Sequence, residues 1–203
     1  YMYKIAYGKK YQDLEIDPES PVDQLVYELS KYSKIKVENL VVCILNRLRH
    51  QNLITLVRKT GARIKLIGDG DVSAVIATTV EDSGVDVYIG AGGSPEGVLA
   101  AAALRCLGGK IYGKLLFSNE SEKHRASDMG ITDFKKIYTT NELASGEVMF
   151  AATGVTDGTL LKGVRIKSDT ATTHSVVMRS KTKTIRYVEA THKLSIKPII
   201  NIN

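Results

Sequence analysis

Tryptophan is missing from the 203 residues and phenylalanine occurs only three times. Aromatic interleaving of the kind on which single-strand nucleic-acid binders stack bases is not seen. Cysteine is scarce too. Cys43 and Cys106 lie in a strand-like and a helix-like run with no CxxC spacing, so they read as reduced, buried thiols rather than a disulfide frame or metal cluster. His50 reads as a helix-start residue and shows no ligand spacing with His124, His174 or His192. No apolar run approaches the ~20 residues that span a membrane, and no charged-then-apolar signal segment opens the chain. A cytoplasmic protein without a membrane partner is the expectation. A starting methionine is also lacking: the chain opens directly on the strand-like Tyr1 to Tyr7, as expected of a piece of something longer.

What is present is the composition of a globular protein, 43% hydrophobic and 25% charged. The length suits one large domain or two small ones with a sizeable core. The net charge of +6 is uneven, because residues 162 to 197 hold nine Lys or Arg against Asp169 and Glu189. Such a segment is either a solvated basic face or a surface for a polyanion.

The stretch around which the chain is organised is Val85-Asp86-Val87-Tyr88-Ile89-Gly90-Ala91-Gly92-Gly93-Ser94-Pro95-Glu96-Gly97, followed by a helix-forming run to Leu107. Val85 to Ile89 predicts a strand, the glycines a tight turn, Ser94 an N-cap and Pro95 the first helical position. Glu96 then falls in the first turn, beside free N–H groups that favour an anion. A carboxylate there suggests that a cation is bound as well. The dinucleotide and P-loop patterns do not fit: Pro95 stands where a third glycine belongs, and no Gly-Lys-Ser/Thr follows.

Two further units precede this one. Leu40 to Leu45 is a continuous apolar run, as in a strand covered on both faces, and it leads into Asn46-Arg47-Leu48-Arg49-His50 and a helix ending at Gly61. Arg63 to Ile67 leads into Gly68-Asp69-Gly70-Asp71 and a helix marked by Val72, Val75 and Ile76. Strand, loop and helix therefore recur three times, which predicts right-handed βαβ units around a parallel sheet. From Glu147 onward, Val, Thr and aromatic runs predict strands over Val148 to Thr153, Leu161 to Lys167, Thr172 to Arg179 and Thr182 to Ala190. The expected division is an α/β region over 1–146 and a strand-rich part of the same fold over 147–203.

Ligands of open parallel sheets bind beyond the carboxyl ends of the strands. A parallel sheet would put Arg47, Arg49, Asp69, Asp71, the glycine turn and Glu96 on one rim. Arginine forks match phosphate oxygens, and carboxylates bind sugar hydroxyls or a hard cation, so the rim points to a sugar phosphate. Bland alternatives are a solvated arginine loop, Asp71 as N-cap of the Val72 helix, and Thr153-Gly154-Val155-Thr156-Asp157-Gly158 as a hairpin turn rather than a ligand loop.

The run Gly92-Gly93-Ser94-Pro95-Glu96-Gly97-Val98 before an Ala-rich helix resembles the signature of class II fructose-1,6-bisphosphatases. Asp69-Gly70-Asp71, Ala152-Thr153-Gly154, Leu160-Leu161-Lys162-Gly163 and Arg179 to Arg186 resemble that family in the same order. The resemblance implies the layered α/β sandwich of the inositol-phosphatase/fructose-bisphosphatase type. It also implies Mg²⁺- or Mn²⁺-dependent removal of the 1-phosphate of fructose 1,6-bisphosphate in gluconeogenesis. By position, Glu96 matches a metal ligand, and Gly93, Asp69, Gly70 and Asp71 match substrate contacts. Arg47, Leu48 and Arg49 match the loop around the substrate phosphate, with Leu48 where proline is usual, and Tyr1 matches a substrate-contacting tyrosine. The family's other metal carboxylates and its catalytic threonine belong to a segment before Tyr1, so no catalytic residue is assigned in this chain, and the isolated chain is expected to be inactive. The expected partners are a small sugar bisphosphate and further copies of the chain, without nucleic acid. The alternatives are sedoheptulose-1,7-bisphosphatase activity and a non-catalytic nucleotide- or nucleic-acid-binding module.

Overall fold

The computed structural model describes residues 1–196; the rest of the apolar tail, and Lys197 of the basic segment, lie outside the described residues. In chain order the elements are β1 (Met2–Tyr7), α1 (Val22–Ser33), β2 (Val41–Leu45), α2 (Gln51–Thr60), β3 (Arg63–Ile67), α3 (Asp71–Ala77), β4 (Val87–Gly92) and α4 (Ser94–Leu107). They continue with β5 (Lys110–Leu115), α5 (Glu120–Asp128), β6 (Ile137–Tyr138), α6 (Thr140–Leu143), β7 (Met149–Thr153), β8 (Arg165–Lys167), β9 (Thr170–Arg179) and β10 (Thr184–Lys193).

The first sheet has the order β3-β2-β4-β1-β5-β6. The three βαβ strands β3, β2 and β4 are adjacent and parallel. The parallel portion expected of the βαβ units is therefore present, within a sheet that is mixed as a whole. β1 inserts antiparallel between β4 and β5, with Lys4 opposite Gly90 on one side and Gly113 on the other. The chain enters at the rim where β4 ends, so β1 runs against its neighbours. β10, β9 and β7 form a second, antiparallel sheet, with β8 paired to the first half of β9. The strand expected over Leu161 to Lys167 shortens to β8, because residues 154–164 are taken up by a loop closed by Val164 N–H to Val155 O at 3.1 Å.

Strand alternation sorts the core into two layers. Ile5, Tyr7, Val42, Ile44, Val87 and Ile89 pack against Leu25, Val26 and Leu29 of α1 and Ile54 and Val57 of α2. Ala6, Cys43 and Tyr88 face the other way, onto α3 and α4, which in turn cover Phe150, Val176 and Met178 of the second sheet. The order is helices, sheet, helices, sheet: a layered α/β sandwich. β2 is apolar at every position because both its faces are covered. α4 has alanines at 100 to 103, all buried, since a helix squeezed between two sheets needs small side chains on more than one face. Cys43 and Cys106 are free and buried. Among the described residues, no helix is long and apolar enough to cross a membrane.

Candidate functional site

The carboxyl ends of β3, β2 and β4 bring residues 46–50, 68–71 and 93–96 to one edge of the sheet. β1 begins at the same edge, Met2 lying opposite Gly92, and so delivers Tyr1 there.

β4 continues through Gly90 to Gly92, one feature that differs from the expected tight turn. Neither glycine has a left-handed φ; their lack of a side chain serves close approach instead. A Cβ on Gly92 would sit 2.6 Å from Asp71 Oδ2 and 3.1 Å from Lys4 Nζ. Gly93, not Ser94, is the N-cap, and Ser94 and Pro95 open α4. This one-residue shift leaves Glu96 in the first turn, where it is exposed and its Oε2 folds back over the α-carbon of Gly93.

The 46–50 loop is fastened to β4 by two residues. His50 is buried; its Nδ1 lies 2.7 Å from Leu45 O and its Nε2 2.8 Å from Ala91 N. A carbonyl only accepts and an amide N–H only donates, so Nδ1 carries the proton and Nε2 accepts from Ala91. Burial, with the charges of Arg49 and Arg47 beside it, holds this imidazole below its ordinary value of 6.5. His50 stands at the start of α2 as its N-cap residue, as the sequence suggested, and is in addition a neutral strut. Arg49 donates from Nε to Ala91 O at 2.9 Å, and its guanidinium stands 5.2 Å from the centre of the Tyr1 ring. β2 pairs with β4 only at Val87 and Tyr88; beyond that point Arg49 and His50 take over its role as neighbour to β4. Arg47 is exposed and Leu48 is 91% exposed. Arg47 makes no side-chain hydrogen bond or ion pair among the described residues.

Gly70 caps α3 with φ 77 and ψ 45, a left-handed conformation that favours glycine. Asp69 is exposed beside it and lines a cleft of about 500 Å³ between α3 and the 153–161 loop. Asp71 is not the N-cap. It is the first residue of α3, 7% exposed, with Oδ2 at 2.5 Å from Nζ of Lys4, itself 1% exposed. Sequence reasoning missed Lys4; a lone lysine in an otherwise apolar buried strand was the available signal. The Tyr88 hydroxyl lies on the same face, buried and without a hydrogen-bond partner among the described residues.

The Thr153 to Gly158 segment is not a hairpin turn: it belongs to the loop between β7 and β8, which both pair with β9 and not with each other, and it lines one wall of the cleft. Gly158 N–H bonds Leu161 O, and Asp157 accepts from Gly163 N–H at 2.9 Å and from Arg165 at 2.5 Å. Much of the basic segment is locally paired: Lys162 with Glu189, Arg165 with Asp157, and Arg179 and Lys181 with Glu147. These pairings favour a solvated basic face.

The rim combines guanidiniums, open carboxylates and the N-terminus of a 14-residue helix, groups suited to a phosphate attached to a polyol. Among the described residues no three His, Cys, Asp or Glu side chains converge as metal ligands, so these residues do not by themselves fit a two-cation centre. Glu96 offers one carboxylate.

Residues 1–192 match the family described as bacterial fructose-1,6-bisphosphatase, glpX-encoded. Over 169 residues the chain is 45% identical to a D-fructose 1,6-bisphosphatase class 2/sedoheptulose 1,7-bisphosphatase of Trichodesmium erythraeum (strain IMS101), covering 77% of this chain and 49% of the relative. Proteins of the same name from Crocosphaera subtropica (strain ATCC 51142 / BH68) and Synechococcus elongatus (strain ATCC 33912 / PCC 7942 / FACHB-805) are 45% and 44% identical with the same coverage. The chain spans about half the length of these curated relatives. With its family matched from Tyr1 to His192, the chain belongs to the class II fructose-1,6-bisphosphatases.

Proposed function

We infer that this chain is the substrate-binding part of a phosphatase that hydrolyses the 1-phosphate of fructose 1,6-bisphosphate, releasing fructose 6-phosphate and inorganic phosphate. The observation that carries this reading is the shared rim of three parallel strands, with Arg47 and Arg49 on one loop, Asp69 and Asp71 on the next and Gly93 to Glu96 on the third. Arg47 and the free Nη groups of Arg49 bind phosphate oxygens bidentately, Asp69 and Asp71 accept from sugar hydroxyls, and Tyr1 stacks beneath Arg49. The backbone at Gly93 lies at the positive end of α4, where it meets the substrate. Glu96 is one ligand of a Mg²⁺ or Mn²⁺ ion. The family's further metal ligands are not among the residues described, and no step of the reaction is derived through the ion from this chain.

The relatives' names pair fructose 1,6-bisphosphatase with sedoheptulose 1,7-bisphosphatase, which favours the seven-carbon bisphosphate as a second substrate. Both sugars present the same chemistry to the rim. The location is cytoplasmic and the assembly a homo-oligomer in this reading. Residues 1–146 carry the site and 147–203 complete the same fold, a division supported by α4, which packs against β5 on one side and β7 and β9 on the other. Calorimetric titration of the chain with fructose 1,6-bisphosphate tests the reading. Binding that survives in wild type and drops in both Asp69→Asn and Arg47→Ala supports it; wild-type affinity in both variants removes the rim from the site.

A further inference from the structure

Lys4 is the most deeply buried charge in the described chain, and its surroundings are built for it. Its partners across both neighbouring strands, Gly90 and Gly113, have no side chains. On the same face, a Cβ on Gly97 of α4 would stand 3.5 Å from Lys4 Cε, and one on Gly92 would stand 3.1 Å from its Nζ. The far end of the lysine stem therefore runs through a narrow passage beneath Gly97 of α4 and beside Gly92. Any larger residue at 92 would push on Asp71 and Lys4 together. An apolar side chain would fill such a passage without desolvating a charge, so packing alone gives no reason for lysine.

The ammonium ends on Asp71, at 2.5 Å from Oδ2. The other carboxylate oxygen, Oδ1, has no protein partner among the described residues, yet the Tyr88 hydroxyl is the sole partnerless side-chain atom among them that is sealed from solvent. Oδ1 therefore remains open at the rim. One oxygen is held by Lys4 and the other keeps a little solvent access, on a side chain that is 9% exposed.

We propose that Lys4 is a positioning residue for the substrate. By holding Oδ2 it fixes the Asp71 carboxylate in one orientation, so that Oδ1 accepts from a sugar hydroxyl. The role rests on the sugar-bisphosphate reading above, and it lies in ground-state binding rather than in the bond-breaking step. A purely structural ion pair would support the fold equally well with or without ligand; a positioning pair is coupled to ligand affinity through Asp71 and through no other group.

The test is a double-mutant cycle of affinity, with fructose 1,6-bisphosphate titrated into the chain by calorimetry. Lys4→Met keeps the stem and removes the charge; Asp71→Asn keeps the shape and removes the other charge. The expected result is a loss of about tenfold for each single variant, and no further loss when Lys4→Met is added to Asp71→Asn. Wild-type affinity in Lys4→Met overturns the proposal. Losses that multiply in the double variant also overturn it, since Lys4 would then act independently of Asp71. Should Lys4→Met alone leave its charged partner stranded and fail to fold, the double variant carries no stranded charge. Its comparison with Asp71→Asn decides the matter by the same criterion. An absence of binding by the wild-type chain overturns the sugar-bisphosphate reading itself, an outcome distinct from wild-type binding that Lys4→Met leaves intact.

Discussion

In the proposed reading Arg49 has two functions in one side chain. Its Nε is engaged with Ala91 O, which fixes the guanidinium plane, and the remaining N–H groups face the rim. Arg49→Ala is expected to weaken binding of fructose 1,6-bisphosphate by roughly 1.5–3 kcal/mol, the scale of a hydrogen bond to a charged group; an unchanged calorimetric affinity would leave Arg49 as a fastener of β4 only. His50 acts beside it as a pH-sensitive strut. Because its folded-state pKa lies below the ordinary 6.5, the unfolded chain takes up a proton more readily than the folded one. Its stabilising contribution is therefore complete above pH 6.5 and is lost as pH falls through the folded value. Urea midpoints measured from about pH 7.5 down to about pH 5 should fall for wild type, and less steeply for His50→Gln, which lacks the titrating ring. Equal slopes would show that His50 is not the group responsible. That Arg47, Arg49, Asp69 and Glu96 share one rim was legible because each is a charged group just past an apolar run. Lys4 and the strut role of His50 were not, because their partners lie 67 and 41 residues away.

Among the elements, α6 is the shortest helix and joins the two sheets. It is held by Glu142, whose Oε2 accepts from the Thr139 N–H and Oγ, each at 2.9 Å, while Oε1 pairs with Lys136 at 2.9 Å. The Thr139 backbone N–H, then Lys136 and the Thr139 hydroxyl, hold the Glu142 carboxyl down to about 2. The link matters beyond its size, since Arg105 of α4 donates to Ala144 O and Gly146 O just after α6. Thr139→Ala should destabilise the chain by about 1 kcal/mol, the usual value of a lost helix cap, as read from chemical denaturation. The depressed carboxyl means that the contribution of this cap is present above pH 4.5 and fades as pH falls toward 2. Thr139→Ala and wild type should therefore converge in stability at the acid end; a constant gap would mean that Glu142 does not drive the cap. Element identities were readable from periodicity. Their ends were not, as β4 shows by running on through Gly90 to Gly92: no φ constraint stops a glycine from extending a strand whose neighbour is already in register.

At the scale of the whole molecule, the proposed site is a rim with many groups suited to binding and few suited to catalysis. Phosphoryl transfer from a bisphosphate needs several carboxylates around its cations to offset the charge of phosphate and nucleophile. Among the described residues Glu96 and Asp69 are the exposed carboxylates at the rim, Asp69 being assigned to a sugar hydroxyl in the proposed reading, and Asp71 is committed to Lys4. The chain by itself should show little or no hydrolysis of fructose 1,6-bisphosphate with Mg²⁺ or Mn²⁺, although it binds the sugar bisphosphate. A version extended to the full length of the relatives should be active. Phosphate release by the short chain at the rate of the long one would show that its own residues complete the metal site.

The sequence by itself determined the strand-loop-helix units, the apolar faces that sort them into layers, the helix start just after Gly93 and the family signature. All of these rest on spacing within about twenty residues or on short motifs, and a local pattern needs no partner to be read. The insertion of β1 against the parallel strands, the handover of β4 from β2 to Arg49 and His50, and the turning of Asp71 away from a helix-cap role toward Lys4 were decided only by tertiary structure. Each depends on which strand stands beside which, and a buried charge selects its counter-charge by proximity in the fold, whatever the distance along the chain.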